Sequence, residues 1–329
     1  MGNDREFLIR THAASDIQYG SYPGARSIEN LIKYGIVVLD KPRGPTCKSI
    51  DVIIKKIFEH FGFKVIKCSH GGTLDPGVSG TLVIMLNKST KLTETLLKSK
   101  KEYVALIYLH SDVSEEKIRQ VCNEFVGKIK QLPPLHSAVA RQEREREIYY
   151  IEILEINGRN VLMRVGCEAG TYIRRLADDI GKKLGTGAHL QELRRTKSGR
   201  FTENDTTTLH KLWDALALYR EEGEESALRS IIKPVELLVD NMKCVVVLDT
   251  AIGALCNGAP LAVGGISRVQ VGIKKGDNVA VLTLKGELIC IGKALIDSES
   301  MVNNKRGLCV KNDAVVMEKG IYLEWKKEL

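Results

Sequence analysis

The chain has 329 residues, 43% hydrophobic and 27% charged, which are globular proportions that exclude disorder, collagen-like repeats and low complexity. Lys and Arg outnumber Asp and Glu by 49 to 41, and the resulting net charge of +8 permits an acidic partner without identifying one. The most weakly charged stretch, 244–266, holds too much Gly, Asn, Asp and Pro to cross a bilayer as one helix.

In chain order, the opening MGNDREFLIRTHAASD has no apolar segment of signal-peptide type and carries Glu6 where a myristoylation signal takes Ser or Thr. The expectation is a protein made and kept in the cytosol. GIVVL at 35–39 reads as a strand, and KPRGPT at 41–46 as a turn. Residues 48–61 then place Ile50, Ile53, Ile54, Ile57, Phe58 and Phe61 on one helical face. Short β-prone runs follow at 81–86, 102–109, 148–154 and 160–168. Between them, 114–126 predicts a second amphipathic helix, with Ser114 as N-cap, Ile118, Val121, Cys122 and Phe125 inward, and Gly127 after its end. A third helix is predicted over about 171–184. Residues 191–200, QELRRTKSGR, set Arg194, Arg195, Lys197 and Arg200 against a single Glu, which fits either an acidic partner or a solvated helix end.

The composition changes around 220–241, through an acidic REEGEES run, and from Lys243 onward short β-like runs alternate with Gly-rich turns. The fold class expected is therefore α+β: a mixed, largely antiparallel sheet flanked by helices, plus a small C-terminal β-barrel. The expected division is an N-terminal extension over 1–26, packing on the C-terminal unit, a main domain over 27–235, and a C-terminal domain over 236–329. The eight cysteines lie at 47, 68, 122, 167, 244, 256, 290 and 309, with no zinc-type spacing, and are expected reduced and buried. The closing KKEL at 326–329 resembles a retrieval tag but has no secretory signal to act on.

Two stretches could carry chemistry. SHGGTLDPGVSG at 69–80 surrounds one carboxylate, Asp75, with four glycines and a proline. Such a loop fixes its Asp and lets another backbone come close, although an isolated L-D-P-G is also an ordinary turn. CEAGTYIRRL at 167–176 turns from a strand through Gly170 into a helix bearing Tyr172, Arg174 and Arg175 early on. Arg174 with Asp178, and Arg175 with Asp179, are i,i+4 pairs that plain surface ion pairing would also explain.

Taken together, LDKPRGPT at 39–46, HGGTLDPGVSG at 70–80, KEYVA at 101–105, CEAGTYIRRL and LQELRRTKSGRF at 190–201 resemble the TruB-type pseudouridine synthases. The resemblance is narrower to their archaeal and eukaryotic branch, the dyskerin-like catalytic subunit of H/ACA ribonucleoproteins, and it extends into residues 243–320, which look like a PUA RNA-binding domain. It implies an RNA-guided isomerase of uridine in rRNA or tRNA, with neither cofactor nor metal. Asp75 matches the aspartate that activates the uridine, and a carboxylate suits covalent catalysis because it is both nucleophile and leaving group. Arg174 matches its partner in a closed pocket, where losing one member of a buried pair costs about 3–5 kcal/mol. Tyr103 matches the tyrosine that stacks on the base and is a candidate for proton transfer at C5. Tyr172 matches a second active-site tyrosine. His70 matches a histidine that holds the flipped nucleotide, and Leu193 an apolar residue lining the pocket.

The same resemblance makes Arg144 and Arg146 substrate-binding residues and Lys41, Arg194, Arg195 and Lys197 RNA-binding ones. It implies an H/ACA guide RNA, small Gar-type and Nop-type proteins and a kink-turn-binding protein as partners. The sequence departs from the pattern after PPLHSAV at 133–139. There the docking loop is usually strongly basic, but 143–147 read ERERE, so that Glu143, Glu145 and Glu147 share one face of a strand and Arg144 and Arg146 the other. Cys47 and Lys48 also stand where Ser-His is common. Two other readings remain at this stage: a guide-independent tRNA pseudouridine synthase and a noncatalytic RNA-binding scaffold. The lack of a long Lys-rich C-terminal tail favours an archaeal cytoplasm over a nucleolus.

Overall fold

The computed structural model describes residues 5–132 and 142–322. PPLHSAV and the two residues after it, like the KKEL end, lie outside the described residues. The strands in chain order are β1 (Phe7–Ile9), β2 (Gly35–Lys41), β3 (Cys68–His70), β4 (Ser79–Leu86), β5 (Lys101–Leu109), β6 (Gly127–Gln131), β7 (Arg144–Asn157), β8 (Asn160–Cys167) and β9 (Ala188–Ser198). They continue as β10 (Phe201–Thr202), β11 (Ile232–Pro234), β12 (Lys243–Val247), β13 (Leu261–Ala262), β14 (Ile266–Gln270), β15 (Asn278–Leu282), β16 (Leu288–Ala294) and β17 (Leu308–Val315).

These strands form two curled sheets in an α+β arrangement. The first runs β11-β2-β4-β9-β5-β8-β7-β6, with β3 beside β4 and β10 beside β9. Its pairs are antiparallel except β4 with β9. The second runs β1-β14-β12-β15-β16-β17-β13, antiparallel except β12 with β15. The longest strand that the sequence conceals is β9. Its basic text suggested a solvated helix end, yet it lies between β4 and β5 near the middle of the first sheet, with Arg195 and Ser198 buried.

Two cores lie on the first sheet. Helix Cys47–His60 starts where Thr46 Oγ1 accepts from Ser49 N at 3.0 Å. It sets Ile50, Ile54, Ile57 and Phe58 against Val37, Leu39, Leu82 and Ile84. Each such side chain, fully buried, contributes about 1.5–3 kcal/mol. The second core joins Ala105, Ile107, Val161, Met163 and Val165 to helix Ile173–Leu184 through Ile173, Leu176, Ala177 and Ile180. Helix Glu115–Asn123, capped by Ser114, closes that side and stops earlier than its apolar spacing suggested. Tyr103 and Leu193 pack against both cores, so the seam between them runs beneath these two side chains.

The N-terminal segment adds β1 to the second sheet, pairing Leu8 with Val269. Arg10 donates to Met301 O at 3.2 Å and Ser15 Oγ to Asp249 Oδ2 at 2.9 Å. Seven of the eight cysteines are buried and Cys68 is half-buried, all as free thiols. No helix among the described residues is long and apolar enough to cross a membrane.

Candidate active site

The Asp75 loop joins β3 to β4 and is held from below. Val78 N donates to Asp75 O at 3.0 Å, closing a turn over Pro76 and Gly77. Leu74 is buried as an anchor, with its N–H donating to Cys47 Sγ at 3.1 Å and its carbonyl accepting from the same thiol at 3.4 Å. At the end of the loop Gly80 has φ +106, and a Cβ there would lie 2.2 Å from the carbonyl oxygen of Arg195. Only glycine lets β4 and β9 approach so closely.

Against this loop comes the start of helix Ile173–Leu184. Gly170, at φ +80, turns the chain out of β8, and Tyr172 occupies the N-cap position. Arg174 then reaches across 99 sequence positions to Asp75, with Nη2 2.9 Å from Oδ2. It does not pair with Asp178, whose partner is Arg175 at 3.7 Å. The two side chains remain 61% and 58% exposed, so the closed pocket and the cost of a buried pair do not apply to this state of the molecule. An exposed pair is worth about 0–1 kcal/mol.

Tyr103 sits on β5, half-buried, directly opposite Arg195 of β9. Burial pushes its phenol up, opposed by the nearby Arg195 guanidinium, so at neutral pH the hydroxyl keeps its proton. Leu193 lies two residues before Arg195 on β9, which sets it on the same face and beside Tyr103 at the seam. Asp75, Arg174, Tyr103, Tyr172 and Leu193 thus come from a loop, a helix start and two central strands. His70 is partnered elsewhere: Nδ1 lies 2.9 Å from Asp51 Oδ2 and Nε2 3.4 Å from Thr73 Oγ1, so it ties the loop to helix Cys47–His60.

Among the expected RNA contacts, two are corrected. Lys41 is fully buried and spends its ammonium on carbonyl oxygens, 2.9 Å from Pro42 and Val78 and 3.4 Å from Asp75. Arg195 is 1% exposed and donates from Nε to Thr81 O at 2.8 Å and from Nη2 to Gly72 O at 3.1 Å. Neither presents charge to a phosphate. Arg194 is committed to Asp40 through two bonds of 2.9 and 3.1 Å and also pairs with Glu203. Lys197, on the surface, is the freest of the four, 3.9 Å from Glu102.

The hairpin β6–β7 resolves the departure at 143–147. Lys128 Nζ lies 2.8 Å from Glu145 and Lys130 Nζ 3.7 Å from Glu143, so lysines across the ladder neutralise the acidic face. Arg144 and Arg146 take the other face, opposite Gln131 and Ile129. Arg146 lies over the turn at Gly170, where a Cβ would be 3.2 Å from its Nε. Sequence reasoning missed Gln131, which is buried. Its amide accepts from Tyr172 N at 2.9 Å and donates to Tyr172 O at 3.1 Å, pinning the backbone before Arg174. Nothing in KIKQLP signals that role. Among the described residues no group of three or more His, Cys, Asp or Glu side chains converges as metal ligands.

Family profiles match the chain along nearly its whole length. They are the N-terminal domain of TruB family pseudouridylate synthases over 55–173, the C-terminal domain of tRNA pseudouridylate synthase B over 174–240, the PUA domain over 243–316, and the DKCLD (NUC011) domain over 1–50. The chain is similar to the probable tRNA pseudouridine synthase B of Methanopyrus kandleri, 48% identical over 319 residues, or 97% of this chain and 93% of the relative. Its counterpart in Pyrococcus furiosus is 48% identical over 326 residues, 98% of this chain and 94% of that one. Among solved structures, a chain of a Cbf5-Nop10-Gar1 complex superposes with a TM-score of 0.88 at 48% identity, covering 96% of this chain and 95% of that one. A chain of an H/ACA RNP bound to a substrate RNA containing 2′-deoxyuridine gives 0.88 at 45% identity, with 98% of each covered.

Proposed function

The chain belongs to the TruB family of pseudouridylate synthases, and from that premise we propose that it is the catalytic subunit of an H/ACA ribonucleoprotein, isomerising uridine to pseudouridine where a guide RNA directs it. The observation that carries the site assignment is the Asp75–Arg174 pair at 2.9 Å, with Asp75 near enough for its charge to act on Tyr103, which packs at the seam of two cores. Asp75 activates the nucleoside, the N1–C1′ bond breaks, the base rotates, and C5 bonds to C1′ while a proton leaves C5 and one joins N1. Arg174 orients the carboxylate, and Tyr103 and Leu193 meet the extruded base. Tyr172 borders the same space, while His70 holds the loop. Flipping the nucleotide costs a few kcal/mol, which contacts elsewhere must offset.

Residues 27–235 carry the chemistry in this reading and 236–329 grip the guide RNA, with 1–26 laid along the latter. The partners are small Gar-type and Nop-type proteins and a kink-turn-binding protein; the likeness to chains from complexes with Nop10 and Gar1 supports the first two. Sequence choice is then delegated to base pairing. The setting is an archaeal cytoplasm, in keeping with the organisms of the relatives. A second reading, guide-independent action on tRNA, draws on the description of those relatives as tRNA pseudouridine synthase B.

The test is tritium release from C5-labelled uridine by the particle reconstituted with guide RNA and small proteins. The wild type should release tritium and Asp75→Asn should not; turnover by Asp75→Asn removes Asp75 from its role. Robust modification of unmodified tRNA by the purified chain without guide RNA would favour the second reading.

A further inference from the structure

Among the described residues four basic side chains are buried, and three of them, Lys41, Lys101 and Arg195, lie against the loop between Gly72 and Val78 that carries Asp75. Lys41 stands opposite Gly80, Gly80 opposite Arg195, and Arg195 opposite Tyr103, one row across four adjacent strands. Residues directly opposite share a face of a sheet. Because Gly80 has no side chain, the two cations approach across it, and beyond the effect of burial the Arg195 guanidinium disfavours the charged form of both Lys41 and Lys101. Lys101 completes the group. A Cβ on Gly72 would lie 3.6 Å from both Lys101 Cε and Arg195 Nη1.

Among the described residues none of the three makes a salt bridge. Lys41 and Arg195 are capped by the carbonyls already named, and Lys101 Nζ by Leu96 O and Ser99 O at 2.9 Å and Ser99 Oγ at 2.7 Å. A neutral amide could donate several of those bonds, whereas an unpaired buried charge costs several kcal/mol. The charge itself therefore calls for a use. Heterolysis of N1–C1′ supplies one, because the electron pair departs with the base and leaves uracil an anion, while the sugar carbon is left electron-poor beside the Asp75 carboxylate. When C5 bonds to C1′ the pair returns, C5 releases its proton and N1 gains one, so the anion is transient and no co-reactant enters.

We propose that Lys41, Lys101 and Arg195 form a positively charged floor that stabilises the departing uracil anion, acting through Tyr103, which stands between Arg195 and the base. The proposal rests on the reaction assigned above. The three are positioning residues in the electrostatic sense, since none is open to the substrate.

The test compares single-turnover cleavage of uridine and of 5-fluorouridine at the target position in the full guide-containing particle at about pH 6, below the value of about 7 to which burial and Arg195 hold the Lys101 ammonium, so that Lys101 carries its charge. Fluorine makes the base a stronger acid and a better leaving group, so less charge needs stabilising. Arg195→Gln and Lys101→Met should slow uridine cleavage by about 10-fold or more and 5-fluorouridine cleavage by no more than about 3-fold. Arg195→Lys, which keeps the charge, should recover most of the uridine rate. Equal losses on both substrates would mean that these residues only scaffold the loop and would overturn the proposal. If Arg195→Gln does not fold, Lys101→Met decides alone. A wild-type particle that leaves uridine intact would instead overturn the reaction reading, and the floor with it.

Discussion

An ion pair with both side chains more than half exposed adds at most about 1 kcal/mol to the fold, and in the proposed reaction Arg174 serves instead to aim the Asp75 carboxylate. Arg174→Ala should therefore unfold in urea within about 1 kcal/mol of the wild type while losing about 100-fold or more in single-turnover rate, the scale of a lost transition-state contact. A variant that is severely destabilised, or one that keeps its rate, would contradict this. Lys101 offers the opposite case, a residue whose charge weighs on stability. Burial first, then Arg195, hold its ammonium down to about 7. In the unfolded chain it returns to about 10.4. Between those values the unfolded chain binds more protons, so stability rises with pH, and below about 7 both states are protonated and the slope vanishes. Buried thiols such as Cys167, pushed up to about 12 by burial, act in the other sense from about pH 8.5. From pH 7 to about 8.5 the wild type should gain about 1–2 kcal/mol on Lys101→Met. Urea midpoints at several pH values check it, and a gap independent of pH refutes it.

At the scale of the element, legibility followed how completely a segment obeyed one period. Helix Cys47–His60 declared itself because its apolar residues recur every three or four positions behind a Thr cap. Strand β9 did not, because Arg195 is an inward-facing charge satisfied by carbonyls of two other segments, and no local pattern encodes that. Motif resemblance singled out Asp75, Tyr103, Tyr172 and Arg174 as candidates, but could not show that Arg195 is buried, since burial is set by strand order. The hairpin β6–β7 shows the same limit. Its EREREI text suggested weakened docking, whereas the cross-strand lysines answer the acids and leave Arg144 and Arg146 on their own face. Arg144→Ala should accordingly reduce the log–log salt slope of substrate RNA binding by about 0.7, one single-strand phosphate contact. Glu145→Gln should leave that slope unchanged. A steeper slope in Glu145→Gln would place the acidic face, not the basic one, against RNA.

For the whole molecule, the relation between the two sheets depends on a buried ionic cluster of Arg26, Glu236 and Glu287. Arg26, just ahead of helix Ile28–Lys33, donates to both oxygens of Glu236 at 2.9 and 2.7 Å. Glu236 Oε1 also accepts from Leu288 N at 2.9 Å, at the start of β16, so one carboxylate joins the two halves of the chain. Glu287 lies 4.0 Å from the same guanidinium and accepts from Tyr322 at 2.7 Å. The N-terminal segment covers the cluster: Gly20, at φ +61, passes so close that a Cβ would be 2.2 Å from the Tyr322 hydroxyl. Among the described residues Arg26 is thus the one cation paired with these two buried carboxylates, and its loss leaves both charges without that partner. Arg26→Met should cost about 3–5 kcal/mol, far more than removing the exposed Arg174. Glu236→Gln keeps an acceptor for Leu288 N and removes one of the two stranded charges, so added to Arg26→Met it should recover part of the loss. A urea-denaturation double-mutant cycle measures this directly. Strong coupling between the two substitutions is the expected result, and simple additivity would show that the cluster does not hold the sheets together through charge.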